Sequence, residues 1–307
     1  MAAYNANGYL PRIFERLVAQ YGGNVVGAGL VVFSGLTTAA MMASVKDLSL
    51  TYSVWQILFV RSLGQMAMLT PIVVRSRGSA LKSEQVKLQL VRVIFAFAAI
   101  TCTFYSIANL QLAEASAITF ARVIFVVALA AMFFSERAGI VGWGATIIGL
   151  AGVIVMLDPT ASELNSAALV GVAGALASAG VLILIKRLTQ TDETATIMCY
   201  PAIGLAILSG LPSLFTWQPI TLASVPLFIL SIVSGIISHW CFVNAYRHGE
   251  ASVMATVDYT RLVAAAVVGF LIFSEIPKLD AVAGIVLIVG ASFIALRRDE
   301  ISARFRR

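Results

Sequence analysis

Charged residues are scarce in this chain, and their scarcity sets its class. Asp, Glu, Lys and Arg make up 12% of the 307 residues, whereas hydrophobic residues make up 60% and the mean hydropathy is +0.93. A water-soluble domain carries about a quarter charged residues. The composition therefore excludes a soluble globular protein and indicates an integral membrane protein.

Residues that bind metals or form disulfides are also few. Only two histidines occur, His239 and His248, and no His, Cys and acidic residues cluster at metal-ligand spacing. Cys102, Cys199 and Cys241 all lie in apolar runs, so we expect no disulfide. The sequence has no phosphate-binding loop and no serine-nucleophile motif. We therefore expect no cofactor and no ATP-driven step in this chain, and a membrane-embedded enzyme is a distant alternative.

The apolar residues are gathered into runs long enough to cross a membrane. About 20 apolar residues in a helix span a hydrocarbon core of about 30 Å. Ten runs have roughly this length, at residues 24–45, 52–74, 89–109, 115–134, 138–157, 167–185, 195–215, 224–246, 252–274 and 279–296. The sequence thus predicts an all-α integral membrane protein with ten transmembrane helices, numbered here as spans 1 to 10. Residues 1–22 lack the apolar core of a signal peptide and are expected to form a cytoplasmic segment.

Lysine and arginine are distributed unevenly between the two sides that these spans define. The segments on the side of the termini contain Arg12, Arg16, Arg75, Arg77, Lys82, Lys87, Arg137, Lys186, Arg187, Arg247, Arg297, Arg298, Arg304, Arg306 and Arg307. The opposite side has Lys46 and Lys278. Because basic loops stay in the cytoplasm, we expect both termini to be cytoplasmic and the protein to lie in the cytoplasmic (inner) membrane. This orientation explains the net charge of +6, which indicates no nucleic-acid partner.

A block that begins with arginine and ends in Phe-Ser-Glu occurs twice. Its copies are residues 122–136 (RVIFVVALAAMFFSE) and 261–275 (RLVAAAVVGFLIFSE), and Glu-Ala-Ser precedes each, at 114–116 and 250–252. Five spans per copy is an odd number, so the second copy enters the membrane from the opposite face. The expected domains are residues 23–157 as a first five-helix repeat, 158–166 as a connecting loop, 167–297 as a second repeat and 298–307 as a basic cytoplasmic tail. Inverted repeats provide two conformations, one open to each side, and so predict alternating access.

These features resemble the drug/metabolite transporter superfamily, specifically its EamA branch. The stretch 258–277, which begins Asp-Tyr-Thr-Arg-Leu and ends Phe-Ser-Glu-Ile-Pro, is similar to the last helices of many bacterial members. The resemblance implies spans 1–4 and 6–9 around a central cavity, with spans 5 and 10 at the periphery. It also implies transport of amino acids, vitamins, nucleoside-like metabolites or drugs without ATP. Members often have a proline early in span 4, where this chain has Val123 after Arg122, so the sequence gives no reason to expect a helix break there.

Arginines inside the spans are the first candidates for a substrate site, because burying a charge in hydrocarbon is costly. Arg61 lies near the middle of span 2, where it either faces the cavity or forms a salt bridge between helices. Arg122 and Arg261 are shallower and are expected near opposite mouths of the cavity as anion contacts, unless each reaches its nearer interface. Arg92 lies close to a basic loop and is expected to reach the membrane surface.

Asp258 is the only carboxylate well inside a predicted span. Its spacing to Arg261 is i to i+3, which places both side chains on one helical face and permits an ion pair. The alternative is that Asp258 takes up a proton or receives a substrate ammonium group during transport. The corresponding position in the first repeat is Thr119, so the acid belongs to one half only.

Aromatic and polar residues at similar depth could complete the site, although helix packing explains them as well. The candidates are Tyr105, Phe120, Tyr200, Trp240, Asn244 and Tyr259. Pro201 in span 7 frees a backbone carbonyl, which suits either a moving gate or a static kink. We interpret the chain as a secondary transporter of a small organic metabolite with an anionic group, acting in the lipid bilayer as a monomer or homodimer. A channel and a broad-range drug exporter of the same fold are the alternatives.

Overall fold

The computed structural model describes residues 9–109, 118–134, 139–157, 166–264, 267, 279–297 and 301, and its regular structure there is helical throughout. The predicted connecting loop up to residue 165 lies outside these ranges, as does the basic tail except Ile301. The second copy of the Phe-Ser-Glu motif, at 273–275, lies outside these ranges, and only Phe134 of the first copy, at 134–136, lies inside them.

The described α-helices follow the predicted apolar runs, apart from the first, which lies in the predicted cytoplasmic segment. They are α1 (Tyr9–Tyr21), α2 (Gly23–Leu48), α3 (Val54–Arg75), α4 (Val86–Asn109), α5 (Arg122–Phe134), α6 (Gly139–Leu157), α7 (Ser166–Leu188), α8 (Thr194–Phe215), α9 (Val225–His248), α10 (Ala251–Val257) and α11 (Leu279–Leu296). In the described ranges, six helices are long and apolar enough to cross a membrane: α2, α3, α4, α7, α8 and α9. Shorter apolar helices occur at Ile118–Phe134, Gly139–Val155 and Val282–Leu296. The protein is therefore a multi-pass membrane protein.

Helix pairing follows a simple rule that relates the two halves of the chain. Helix α2 packs chiefly on α9, and α4 packs on α7. Helix α3 packs on α8, and α6 on α11. Matching the two halves in chain order pairs α2 with α7, α3 with α8, α4 with α9 and α6 with α11. Under this matching, the α2–α9 contact corresponds to the α7–α4 contact, whereas the α3–α8 and α6–α11 contacts each correspond to themselves. This pattern of contacts is the one expected of two halves related by an internal two-fold axis.

Close backbone approach holds the α6–α11 pair together. A Cβ added at Gly152 would lie 2.9 Å from the carbonyl oxygen of Gly284 and 2.9 Å from Cβ of Leu287. Small residues allow this approach, which supplies the van der Waals contact that joins helices in lipid.

We expect Gly152→Leu to destabilise this pair, because its side chain would overlap the backbone of α11. The expected loss is about 1–3 kcal/mol of unfolding free energy. Thermal unfolding of the purified protein in detergent measures it. The matched control is Gly144→Leu on the same helix, since an added Cβ at Gly144 meets nothing within 4 Å. Equal melting temperatures for the two variants would contradict the proposed contact.

Candidate functional site

An ion triad joins the two halves of the chain. Asp258 accepts a hydrogen bond at Oδ2 from Nη2 of Arg122 at 2.5 Å and at Oδ1 from Nη2 of Arg261 at 2.7 Å. The Asp258 side chain is 2% exposed, whereas those of Arg122 and Arg261 are 12% and 25% exposed. Two guanidinium groups share one carboxylate, so this Asp258 triad carries one excess positive charge. Its arginines are the part that a ligand can reach.

The helix is interrupted shortly before each triad arginine. Residues 118–120 are helical, a turn follows at Ala121, and α5 begins at Arg122. Helix α10 ends at Val257, and the helix resumes at residue 260 after a turn at 258–259. The first break is not expected from the sequence, because it occurs without a proline.

At both breaks, hydrogen bonds from the amide of residue i+3 to the carbonyl of residue i replace the i+4 to i bonds of an α-helix. The amide of Ala121 donates to the carbonyl of Ile118, and that of Arg261 donates to the carbonyl of Asp258. In this tighter geometry, side chains three residues apart lie directly above one another. The break in the second half thereby stacks Arg261 on Asp258, which accounts for the short contact between them.

Aromatic rings and a small residue enclose the triad. The guanidinium carbon of Arg122 lies 5.9 Å from the ring centre of Phe120, and that of Arg261 lies 6.0 Å from the ring centre of Phe242. A Cβ added at Gly35 of α2 would lie 3.3 Å from the Cα of Arg261. The triad therefore lies among α2, α5, α9 and the break after α10.

The predicted ion pair between Asp258 and Arg261 is confirmed, but it is incomplete, because Arg122 is a second partner. The prediction that Arg122 and Arg261 lie near opposite cavity mouths is wrong, since both bind one carboxylate. Both guanidinium groups turn to the buried carboxylate of Asp258. The attraction of the buried carboxylate outweighs the tendency of each arginine to reach water.

Arg61 has no acidic partner within ion-pair distance among the described residues. Its Nη2 donates to Sδ of Met41 at 2.7 Å, and its Nε has no hydrogen-bond partner in the described ranges. A Cβ added at Gly235 of α9 would lie 2.9 Å from that Nη2. Arg61 as a whole residue is partly exposed, with its Nε buried. The alternative of a salt bridge between helices has no support in the described part of the chain.

Arg92 is a functional candidate that the sequence reasoning missed. It is 2% exposed, so the prediction that it reaches the membrane surface is wrong. Its Nη1 donates to the carbonyl of Ile197 at 2.7 Å, and its Nη2 lies 3.0 Å from Nε2 of His239. The carbonyl of Ile197 has no i+4 amide partner because the residue at that position is Pro201. The acceptor freed by the proline draws the arginine inward.

The polar contact around Arg92 extends to α3. Nε2 of Gln65 lies 3.3 Å from Nδ1 of His239 and donates to the carbonyl of Met198 at 3.3 Å. Pro201 is the sequence signal for this cluster, because a proline leaves the carbonyl four residues before it, that of Ile197, without its helical donor. Which donor would meet that carbonyl depends on helix packing, which one sequence does not reveal.

Two of the predicted aromatic candidates lie next to the triad. Phe120 and Tyr259 have their ring centres 6.1 Å apart. Tyr259 is completely buried, and its hydroxyl donates to the carbonyl of Thr146 on α6 at 3.5 Å. A Cβ added at Gly149 would lie 2.5 Å from the Tyr259 ring, so this side chain packs towards α6.

The other candidates lie elsewhere in the bundle. The hydroxyl of Tyr200 donates to the carbonyl of Leu81, at the turn before α4. Trp240 packs against a cluster that contains Leu69. Asn244 donates to the carbonyl of Trp240 at 2.8 Å and accepts from Oγ1 of Thr194. Tyr105, on α4, is 46% exposed. The structure does not bring these four to the triad.

A second buried acid fastens the loops at one end of the bundle. The Asp192 carboxylate accepts from the hydroxyl of Ser83 at 2.5 Å, the amide of Glu84 at 3.1 Å and Nε2 of Gln89 at 2.7 Å. Its own carbonyl accepts from Nη2 of Arg247. These contacts satisfy the acid with neutral donors, which is the arrangement of a structural clamp.

The chain matches a known protein family and several named transporters. The EamA-like transporter family matches residues 25–158 and 165–297. The pseudopaline exporter CntI of Pseudomonas aeruginosa is 30% identical over 278 residues, covering 89% of this chain and 96% of that protein. The S-adenosylmethionine uptake transporter of Rickettsia bellii is 25% identical, with 90% and 94% covered. The riboflavin transporter of Brucella anthropi is 24% identical, with 76% and 84% covered.

A comparison with solved structures shows that the fold is shared. One crystal structure matches with a TM-score of 0.77 at 15% sequence identity. The match covers 91% of this chain and 98% of the other. Nearly the whole helical arrangement described above therefore exists in another protein.

Proposed function

We propose, from the premise that this chain belongs to the EamA-like transporter family of the drug/metabolite transporter superfamily, that it moves a carboxylate-bearing metabolite across the cytoplasmic membrane by alternating access. Its relatives are named as carriers of small organic molecules: pseudopaline, S-adenosylmethionine and riboflavin. The chain is accordingly a small-molecule transporter. The observation that carries the finer proposal is the Asp258 triad, with its buried acid and its two partly exposed arginines.

The proposed architecture is ten spans in two inverted repeats, residues 23–157 and 167–297, joined by 158–166. The symmetric pairing of helices supports it, as do the matching breaks before Arg122 and Arg261. Both termini are placed in the cytoplasm on the distribution of lysine and arginine. A monomer and a homodimer both fit this arrangement.

The triad can exchange partners with a substrate. A substrate carboxylate that enters from the arginine side meets the excess positive charge and competes with Asp258 for Arg122 and Arg261. Inside a membrane protein such charge contacts are stronger than in water, because the effective dielectric constant is lower. The released Asp258 carboxylate then binds a substrate ammonium group or a proton. This exchange links substrate binding to rearrangement at both helix breaks without ATP.

Transport by the purified protein in liposomes tests the proposal. The panel contains labelled amino acids, vitamins and nucleosides, and each compound is measured with and without an imposed proton gradient. We expect flux of a carboxylate-bearing compound, and we expect Arg122→Gln to reduce that flux to background. Flux that prefers uncharged or cationic drugs and is unaffected by Arg122→Gln would favour a drug exporter. Chemical conversion of a compound without compartments would instead indicate an enzyme.

A further inference from the structure

Three arginines from three different helices line one face of α9. Nη2 of Arg61 lies beside Gly235, Nη2 of Arg92 contacts His239, and the guanidinium of Arg261 lies over Phe242. The α9 residues are spaced i, i+4 and i+7, so they lie on the same side of that helix. We call these side chains the arginine row.

The length of the row follows from the helices that flank it. Gly235 and Phe242 are seven residues apart, which corresponds to about 10 Å along an α-helix. Helix α2 gives an independent measure, because Met41 contacts Arg61 and Gly35 approaches Arg261. These two residues are separated by about 9 Å on the same rise per residue. The two estimates agree.

The row has more positive charge than the described acids balance. Neither Arg61 nor Arg92 has a carboxylate within ion-pair distance among the described residues, and Asp258 is shared by two arginines. His239 does not compensate Arg92, because an arginine can only donate and Nε2 of His239 must therefore accept its hydrogen bond as a neutral ring. Uncompensated charges within a membrane are costly and mark sites for charged ligands.

The arginines of the row differ in solvent exposure, and the two outer ones are the points that a ligand can contact. Arg92 in the centre is 2% exposed, whereas Arg61 is partly exposed and the side chain of Arg261 is 25% exposed. Arg92 is therefore a positioning residue that contributes positive potential. Its two neighbours can contact a ligand directly.

We infer that the arginine row binds a substrate with two anionic groups about 10 Å apart, one at Arg61 and the other at the Asp258 triad. This inference rests on the proposed function and specifies its substrate class as an extended dicarboxylate or similar dianion. A substrate amino group beside the second carboxylate would face Asp258.

Two amino acids of equal chain length provide the test. 2-Aminosuberate has a carboxylate at its far end, whereas 2-aminooctanoate has a methyl group there. We expect the full-length protein in lipid nanodiscs to bind 2-aminosuberate at least about tenfold more tightly, as one charge-assisted hydrogen bond implies. Isothermal titration with each acid measures this ratio.

Variants then locate the far carboxylate. Arg61→Gln should weaken binding of 2-aminosuberate far more than binding of 2-aminooctanoate, so that the ratio approaches one. Arg187→Gln removes the same charge from the exposed end of α7 and should leave the ratio unchanged. Arg92→Lys keeps the central charge and should retain the preference, whereas Arg92→Gln should lower it. Circular dichroism and thermal unfolding show whether each variant folds.

Equal binding of the two acids by the wild-type protein would overturn the inference, as would a ratio that Arg61→Gln leaves unchanged. Binding of neither acid would also overturn it. The proposed function fails separately, when no carboxylate-bearing compound of the liposome panel is transported. If the protein transports a monocarboxylate but binds both test acids equally, the proposed function stands and only the inference about the arginine row fails.

Discussion

Asp258→Asn is expected to abolish transport and to destabilise the protein. The neutral amide would leave the guanidinium groups of Arg122 and Arg261 facing each other without an anion, in a position where Asp258 is now 2% exposed. Removing one partner from a buried ion pair costs about 3–5 kcal/mol. Thermal unfolding in detergent and substrate flux in liposomes measure the two effects.

A double variant separates the loss of charge balance from the loss of function. Arg122→Gln combined with Asp258→Asn restores the excess of one positive charge that the wild-type triad has. We expect the double variant to regain much of the stability lost in Asp258→Asn while remaining inactive, because the exchangeable acid is still absent. An Asp258→Asn protein with wild-type stability would contradict the triad, and one with wild-type flux would remove Asp258 from the transport cycle.

The positions of the long helices could be predicted because the bilayer sets their length. The apolar run at 224–246 corresponds to α9 (Val225–His248), and the run at 52–74 to α3 (Val54–Arg75). Which helices touch could not be predicted in the same way. Helices that are apolar on every side carry no stripe that identifies a neighbour, so the α2–α9 and α4–α7 contacts emerge only in the folded chain.

The site was predictable where its contacts are local. Asp258 and Arg261 are three residues apart, so their pairing follows from helical geometry. Arg122 is 136 residues from Asp258 along the chain, and nothing in the local sequence indicates that the two meet. Arg92 was assigned by its distance from a basic loop, whereas its true partner is a carbonyl that Pro201 frees on another helix.

Helix α10 connects the triad to one end of the bundle. All seven of its residues, Ala251–Val257, are buried, and the break at 258–259 follows directly. At its other end, the amide of Glu250 donates to Oδ1 of Asn24 at 2.9 Å, and Nδ2 of Asn24 donates to Oε1 of Glu250 at 3.0 Å. We call the two hydrogen bonds between Asn24 and Glu250 the Asn24–Glu250 clasp. Because α10 is short and lies between this clasp and the break at 258–259, it can move as a unit. A change of partner at Asp258 would then alter the contact between Glu250 and Asn24.

Cross-linking the Asn24–Glu250 clasp is expected to stop transport. If alternating access opens this end of the bundle, α2 and α10 must separate during each cycle, and a covalent bridge between them prevents it. The test protein has Asn24→Cys and Glu250→Cys in a background where Cys102, Cys199 and Cys241 are alanine. A short bifunctional thiol reagent with a cleavable disulfide should reduce flux to background, and a reductant should restore it.

The two single-cysteine proteins receive the same reagent and serve as controls, because they acquire its bulk without a bridge. Their flux should stay close to that of the untreated protein. Substrate binding by the bridged protein provides a further distinction, since a transporter held in one conformation still binds ligand from the open side while flux is lost. Full flux in a protein shown by mass spectrometry to be completely bridged would mean that α2 and α10 stay together throughout the cycle, and the opening would have to be sought elsewhere in the bundle.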